Sequence, residues 1–316
     1  MKISLGKIPN DIKIALVALL MIIAAAIISP HFLEPANIRS LLLQVSPLGI
    51  IAVGMTFVII TAGIDLSVGS QVAMISVLMA GNGTLSMPMM ISLALVIGLI
   101  AGTSNGFLIG SAQISPFITT LATMAIFKGV ALFVSNSEER RIVDSDFSSI
   151  ATTDFLGLPL PVWLFFLAVV IGQIVLKRSV FGLRVAAVGS NFEAARFAGI
   201  DVDKIRTAVY IISGVLCGAS SLLVSSRLST ATPTLGDFYE LDAIAAVIIG
   251  GTSLFGGRGS VVGTFFGILI FGVITNVLNL SGASPHVQRI AKGLVILAAV
   301  YFQSEQFAQI IRGRKK

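Results

Sequence analysis

The sequence predicts an all-α polytopic membrane protein of about ten transmembrane helices, and three observations carry that prediction. Hydrophobic residues make up 55% of the 316 positions and charged residues only 11%, too little polar surface for a soluble domain of this length. Between Arg39 and Lys128 lie 88 residues whose sole charge is Asp65, room for several spans of about 20 apolar residues each. These runs are too long and too uniformly apolar for barrel strands, which leaves helices as the spanning elements.

Taken in order, the spans fall near residues 12–29, 41–62, 66–81, 88–110, 115–134, 159–176, 206–226, 240–256, 259–280 and 288–304, in one membrane domain covering 1–316. The first follows Lys2 and Lys7 as a signal peptide would, but its 18 residues and its Ser29-Pro30 ending favour a retained span. The second and third meet at a glycine-rich break, Thr61 to Ser70. Along the fourth, Gly98, Gly102, Gly106 and Gly110 recur every fourth residue, a bare helix face that lets a neighbouring backbone approach closely. The seventh holds Cys217, which as the single cysteine excludes an intrachain disulfide. For the eighth, only 15 residues separate Asp242 from Arg258, about 22 Å of helix; a span that short is tilted, partly buried or broken. Lys128, Arg289 and Lys292 fall inside spans and are expected to snorkel to the interface.

A second break, Gly250 to Ser260, shares with the first the pattern Gly, any two residues, Leu and then a Gly-Ser ending, with two extra residues. It is also the nearest approach to a phosphate loop. Gly251-Thr-Ser-Leu-Phe-Gly-Gly-Arg258 lacks the lysine and following hydroxyl residue that such a loop needs, so the chain is not expected to bind ATP. His31 and His286 lack metal-ligand spacing, and no catalytic, metal or nucleic-acid site is expected. Asp65 is read as the cap of a helix beginning near Leu66, with a functional role as the competing reading. The outer segment from Ser135 to Leu158, with five acids against Arg140 and Arg141, reads as a solvated loop or as a docking rim for a basic partner.

Residues 177–206 stand apart as a charged island holding nine of the 36 charges. Ser190 with Glu193 three residues later is a capping box, and Gly199 offers a left-handed stop. The helix between them has Ala194, Phe197 and Ala198 on one face and Glu193 and Arg196 on another. A helix this short needs a surface to pack on, and a solvated loop and a docking element both fit. With ten spans, placing the termini inside assigns 14 Lys and Arg to cytoplasmic segments and four to the outside, which puts the island in the cytoplasm.

Two blocks now point further: Leu48 to Ser70, LGIIAVGMTFVIITAGIDLSVGS, and Glu240 to Gly257, ELDAIAAVIIGGTSLFGG. With the island between them, they closely resemble the ribose-type permeases of bacterial ABC sugar importers, from about Asn37 to Phe302. The resemblance implies the importer permease fold in the bacterial inner membrane, with both termini cytoplasmic and membrane lipid around it. It further implies a second permease copy, a periplasmic sugar-binding protein outside and an ABC ATPase inside that uses ATP and Mg; this chain itself binds no cofactor. Glu193-Ala194-Ala195, three residues and Gly199 then look like the short motif that touches the ATPase, with Ser190 and Arg196 beside it. The motif's later Leu-Pro pair is absent at Tyr210 and Ile211. The implied cargo is a monosaccharide, ribose or a relative, and Ser67, Gln71, Asn105 and Asn276 offer uncharged groups suited to its hydroxyls. An ion-coupled secondary transporter using Asp65 or Asp242 is the alternative, and a passive channel the third. The lack of an evident acid-base pair within the spans counts against both.

Overall fold

The computed structural model describes residues 9–81 and 84–303. Lys2, Lys7, Arg312, Arg314, Lys315 and Lys316, which enter the charge count, lie outside the described residues. In chain order the helices are α1 (Asn10–Ile28), α2 (Pro35–Ile60), α3 (Val68–Ala80), α4 (Met87–Gly110), α5 (Pro116–Ser135), α6 (Ser145–Thr152), α7 (Leu160–Arg178), α8 (Val180–Ser190), α9 (Phe192–Phe197), α10 (Val202–Leu228), α11 (Tyr239–Ile249), α12 (Val261–Leu280) and α13 (Pro285–Gln303). Four two-residue strands, β1 (Arg140–Arg141), β2 (Asp154–Phe155), β3 (Leu158–Pro159) and β4 (Thr230–Ala231), pair β1 with β4 and β2 with β3, both antiparallel. The chain is thus an all-α, multi-pass membrane protein. Among the described residues seven helices are long and apolar enough to cross a bilayer: α1, α2, α4, α5, α7, α10 and α12.

Burial orders these helices into a centre and a periphery. In α2, 17 of 26 residues are buried, as expected of a helix that is hydrophobic all round and enclosed by others; α7, α10, α11 and α12 pack around it. In α1 only Ala18 and Ala25 are buried. It lies against α12 and leaves Leu16, Leu20 and Ile27 exposed for lipid.

The glycine stripe of α4 lies along α10. A Cβ at Gly102 would stand 2.5 Å from the Tyr210 carbonyl oxygen, and one at Gly106 2.7 Å from that of Thr207. Gly214 and Gly218 answer from α10: a Cβ on Gly214 would sit 2.7 Å from the Gly102 backbone, and one on Gly218 2.5 Å from the Ala94 carbonyl oxygen. Two backbones meet here with nothing between them, the geometry that small residues permit inside membranes.

Both glycine-rich breaks interrupt helices. The second and third spans end and begin at Ile60 and Val68, and α11 stops at Ile249, so the short eighth span is a broken one. The two breaks also meet, the Gly257 amide donating to the Ile60 carbonyl at 2.9 Å.

The outer segment is not a solvated loop. Its helix α6 buries Phe147 and Ala151, and Asp144 caps that helix by accepting the Phe147 amide at 2.8 Å and the Met87 amide at 3.0 Å. Asp154 pairs bidentately with Arg39 at 2.6 and 2.8 Å. The apolar positions 147 and 151, one helical turn apart, supply the anchor that the acids conceal.

Candidate functional site

The charged island is helical almost throughout: α7 runs to Arg178, α8 occupies Val180–Ser190 and α9 follows at once. Because α8 continues through Ser190, the capping box expected at Ser190 and Glu193 does not form. The Ser190 hydroxyl donates back to the Ala186 carbonyl at 2.8 Å, and Asn191 caps α9 instead, its side-chain oxygen accepting the Ala194 amide at 2.9 Å. Asparagine at this position is as good a cap as serine. At the other end Gly199 takes φ +78°, and the Ile200 amide closes onto the Ala195 carbonyl at 3.0 Å, a left-handed stop that glycine adopts without steric cost.

Only Ala195 of α9 is buried; Glu193, Ala194, Arg196, Phe197 and Ala198 are exposed, Phe197 at 89%. The elbow is nonetheless tied down. Arg206 of α10 stacks over Phe192 at 5.3 Å, and Arg196 reaches Asp203 at 3.4 Å. Asp201 caps α10 by accepting the Lys204 amide at 3.0 Å, and the bond from the Lys204 side chain holds its carboxyl below the usual carboxylate range. A small helix is therefore tied to α10 while presenting an uncovered apolar face.

Behind α9, backbone meets backbone. A Cβ at Gly189 would fall on the Ile60 carbonyl oxygen and lie 2.8 Å from the Gly257 amide nitrogen, and one at Gly256 would lie 2.6 Å from the Gly189 carbonyl oxygen. The end of α8 thus wedges against the end of α2 and the second break, backbone against backbone. The Gly257 amide, spent on Ile60, is also not free to cradle a phosphate.

Above this junction lies an enclosed polar network. The Ser67 hydroxyl donates to the Asp65 carboxylate at 2.6 Å and accepts from the Gln71 and Asn105 amides at 2.8 and 2.9 Å. Asp65 also accepts the Ser67 backbone amide at 3.0 Å and the Ser213 hydroxyl at 3.1 Å. It closes a turn ahead of α3, which starts at Val68 rather than near Leu66, and ties the first break to α4 and α10. Ser67, Gln71 and Asn105 come together here and are wholly buried. Asn276 lies elsewhere, in a reciprocal amide pair with Asn37 at 2.8 and 3.0 Å. Removing the Asp65 carboxylate strands three buried donors. Asp65→Ala is expected to cost ~3 kcal/mol or more, and Asp65→Asn, which keeps an acceptor, about half of that; thermal unfolding in detergent measures both.

Sequence reasoning missed two acid-base pairs. The Lys128 ammonium donates to Asp237 at 2.6 Å and to the Pro233 carbonyl at 2.7 Å. Lys292 donates to Asp242 at 2.6 Å, and Arg289 lies 4.9 Å over the Phe238 ring. The Lys292–Asp242 pair joins two of the predicted spans and so overturns the expected absence of one, while Asp237 lies outside them. A lone cation within an apolar run was the available signal, since a charge inside a bilayer calls for a partner.

Comparison with known proteins agrees with this architecture. Residues 37–300 match the family described as the branched-chain amino acid transport system/permease component. The chain is 43% identical to the ribose import permease protein RbsC of Bacillus subtilis over 92% of its own length and 91% of that protein. It is 42% identical to RbsC of Haemophilus influenzae, over 90% of each chain. It is 36% identical to the L-arabinose transport system permease protein AraH of Escherichia coli, over 95% of its own length and 92% of that protein. No solved structure matches the chain. Matched over nearly its full length by such permeases, this chain belongs to the ribose-type permease family of ABC importers.

Proposed function

We propose that the chain is the sugar-translocating subunit of an ATP-driven importer in a bacterial inner membrane. It receives a monosaccharide of the ribose class from a periplasmic binding protein and is driven by a separate ATPase that uses ATP and Mg. Two permease copies enclose the path. Near-complete alignment with ribose and arabinose permeases supports a sugar, although the wider family is described by branched-chain amino acids.

The observation that carries the coupling mechanism is α9, an anchored helix with an exposed apolar face that follows directly on the end of α8, which abuts the junction of both breaks. ATP-driven closure of the ATPases displaces α9; the rigid contact at Gly189 moves the end of α2 and the second break at Gly256 and Gly257, and access alternates between the two sides. Ten membrane segments complete this reading: the seven long helices, the shorter α3 and α11, and α13 with its internal Lys292. Both termini are cytoplasmic, as the excess of Lys and Arg on that side supports.

The pairs Lys128–Asp237 and Lys292–Asp242 give the ion-coupled alternative a specific footing. Reconstitution separates the two. Proteoliposomes holding the chain with its ATPase are expected to take up radiolabelled ribose or arabinose only when ATP and loaded binding protein are supplied. Uptake by the chain alone, driven by a proton or sodium gradient, would overturn the importer reading.

A further inference from the structure

Beside α3 and α5 lies a cavity of about 280 Å³. Its wall includes Ser70, Ala125, Lys128, Asp237, Phe238 and Glu240. Lys128 stands about 18 Å from the start of α5 at 1.5 Å per residue, within the hydrocarbon depth of a spanning helix. Yet its side chain is 30% exposed, that of its partner Asp237 45%, and Phe238 46%. Charges so placed are not tolerated against acyl chains, and face water or protein instead. The cavity adjoins the first break, with Glu240 against the bare backbone of Gly69, next to the enclosed network of Ser67 and Gln71.

We propose that this cavity is a transit site where sugar hydroxyls bind during passage. The side chains around it select that class of cargo. Two carboxylates, Asp237 and Glu240, accept hydrogen bonds from hydroxyl groups. An ammonium carries three donors; Lys128 spends two, on Asp237 and Pro233, and keeps one for a sugar oxygen. Phe238, with Arg289 4.9 Å over its ring, offers the remaining face to the apolar C–H face of a pyranose or furanose. One cation against two carboxylates disfavours an anion, and a free amino acid would bring its own carboxylate into this negative field. A neutral polyol meets neither obstacle. Modest affinity is built in, because the site is half open and sugar must leave it.

This inference rests on the sugar-import reading, and its test keeps the two apart. In a Cys217→Ser background, Ala125→Cys lies on the cavity wall, while Ile126→Cys, at the same depth on α5 and 59% exposed, does not. Each variant is reconstituted with its ATPase and binding protein and treated with a membrane-impermeant methanethiosulfonate reagent. The expected result is modification of Ala125→Cys at least tenfold faster than of Ile126→Cys, with loss of uptake after labelling and slower labelling during ribose transport. Equal, slow modification at both positions with uptake intact would overturn the transit site, and so would oxidative cross-linking of Ala125→Cys between two copies without reagent access. Failure of the unlabelled complex to move any sugar would instead defeat the importer reading. As a second measurement, Glu240→Gln is expected to lower kcat for uptake at least fivefold with little change in KM for the loaded binding protein; an unchanged kcat contradicts the site.

Discussion

Gly214→Val is expected to abolish recovery of folded permease. A first carbon at that position already meets the Gly102 backbone at 2.7 Å and falls on the Gly98 carbonyl oxygen. Neither obstacle can rotate away, since both are main chain in an apolar helix 24 residues long. Valine adds two methyls beyond that carbon, so α4 and α10 must separate. Overpacking in a tight core costs 1–3 kcal/mol and occasionally more; against backbone on both sides the upper end applies, about 3 kcal/mol or above. Much of a typical margin of stability disappears at that cost. Gly129→Ala is the control. Nothing lies within 4 Å of a Cβ at Gly129, and alanine in a helix gains up to about 1 kcal/mol over glycine. Size-exclusion profiles and thermal unfolding in one detergent compare the two directly, and equal recovery of both variants would refute the bare-backbone packing.

The double variant Glu193→Ala, Gly199→Val is expected to lose at least tenfold of ATP-dependent uptake while inserting normally. Gly199 sits at φ +78°, where an L side chain costs roughly 1–2 kcal/mol and a β-branched one is at the upper end. No atom lies within 4 Å of a Cβ there, so valine clashes with nothing and acts only on the path of the chain leaving α9. Glu193 is exposed and holds no tertiary contact among the described hydrogen bonds and ion pairs. Both changes thus alter the outward surface and exit angle of α9 while leaving the buried Ala195 anchor in place. A merely structural role would show as lost protein rather than as lost coupling.

The long helices are legible in the sequence because a bilayer demands unbroken apolar length, and composition records length directly. The stripe at Gly98 to Gly110 is legible for a related reason: its period is that of a helix face, although only the structure shows that Gly214 and Gly218 answer it. Helix α8 was invisible because it carries one charge, Arg184, and lies between the charged ends of the island, while its buried anchors Val185 and Val188 are too few to stand out. The cap moved from Ser190 to Asn191 because both residues can cap, and the choice depends on where the preceding helix ends. The pairing of Lys128 with Asp237 joins residues 109 positions apart, and no local pattern encodes it. For that reason the cavity beside α5 emerged only from the fold, whereas Glu193, Ala194, Ala195 and Gly199 are proposed from resemblance.

The most direct test of the coupling mechanism is to measure sugar uptake and ATP hydrolysis together in proteoliposomes that hold the permease, its ATPase and the loaded binding protein. With the native α9, hydrolysis stimulated by the binding protein is expected to accompany uptake. With Glu193→Ala, Gly199→Val at equal incorporation, uptake is expected to fall at least tenfold and the stimulation to disappear. Normal uptake with normal stimulated hydrolysis in that variant would contradict the account.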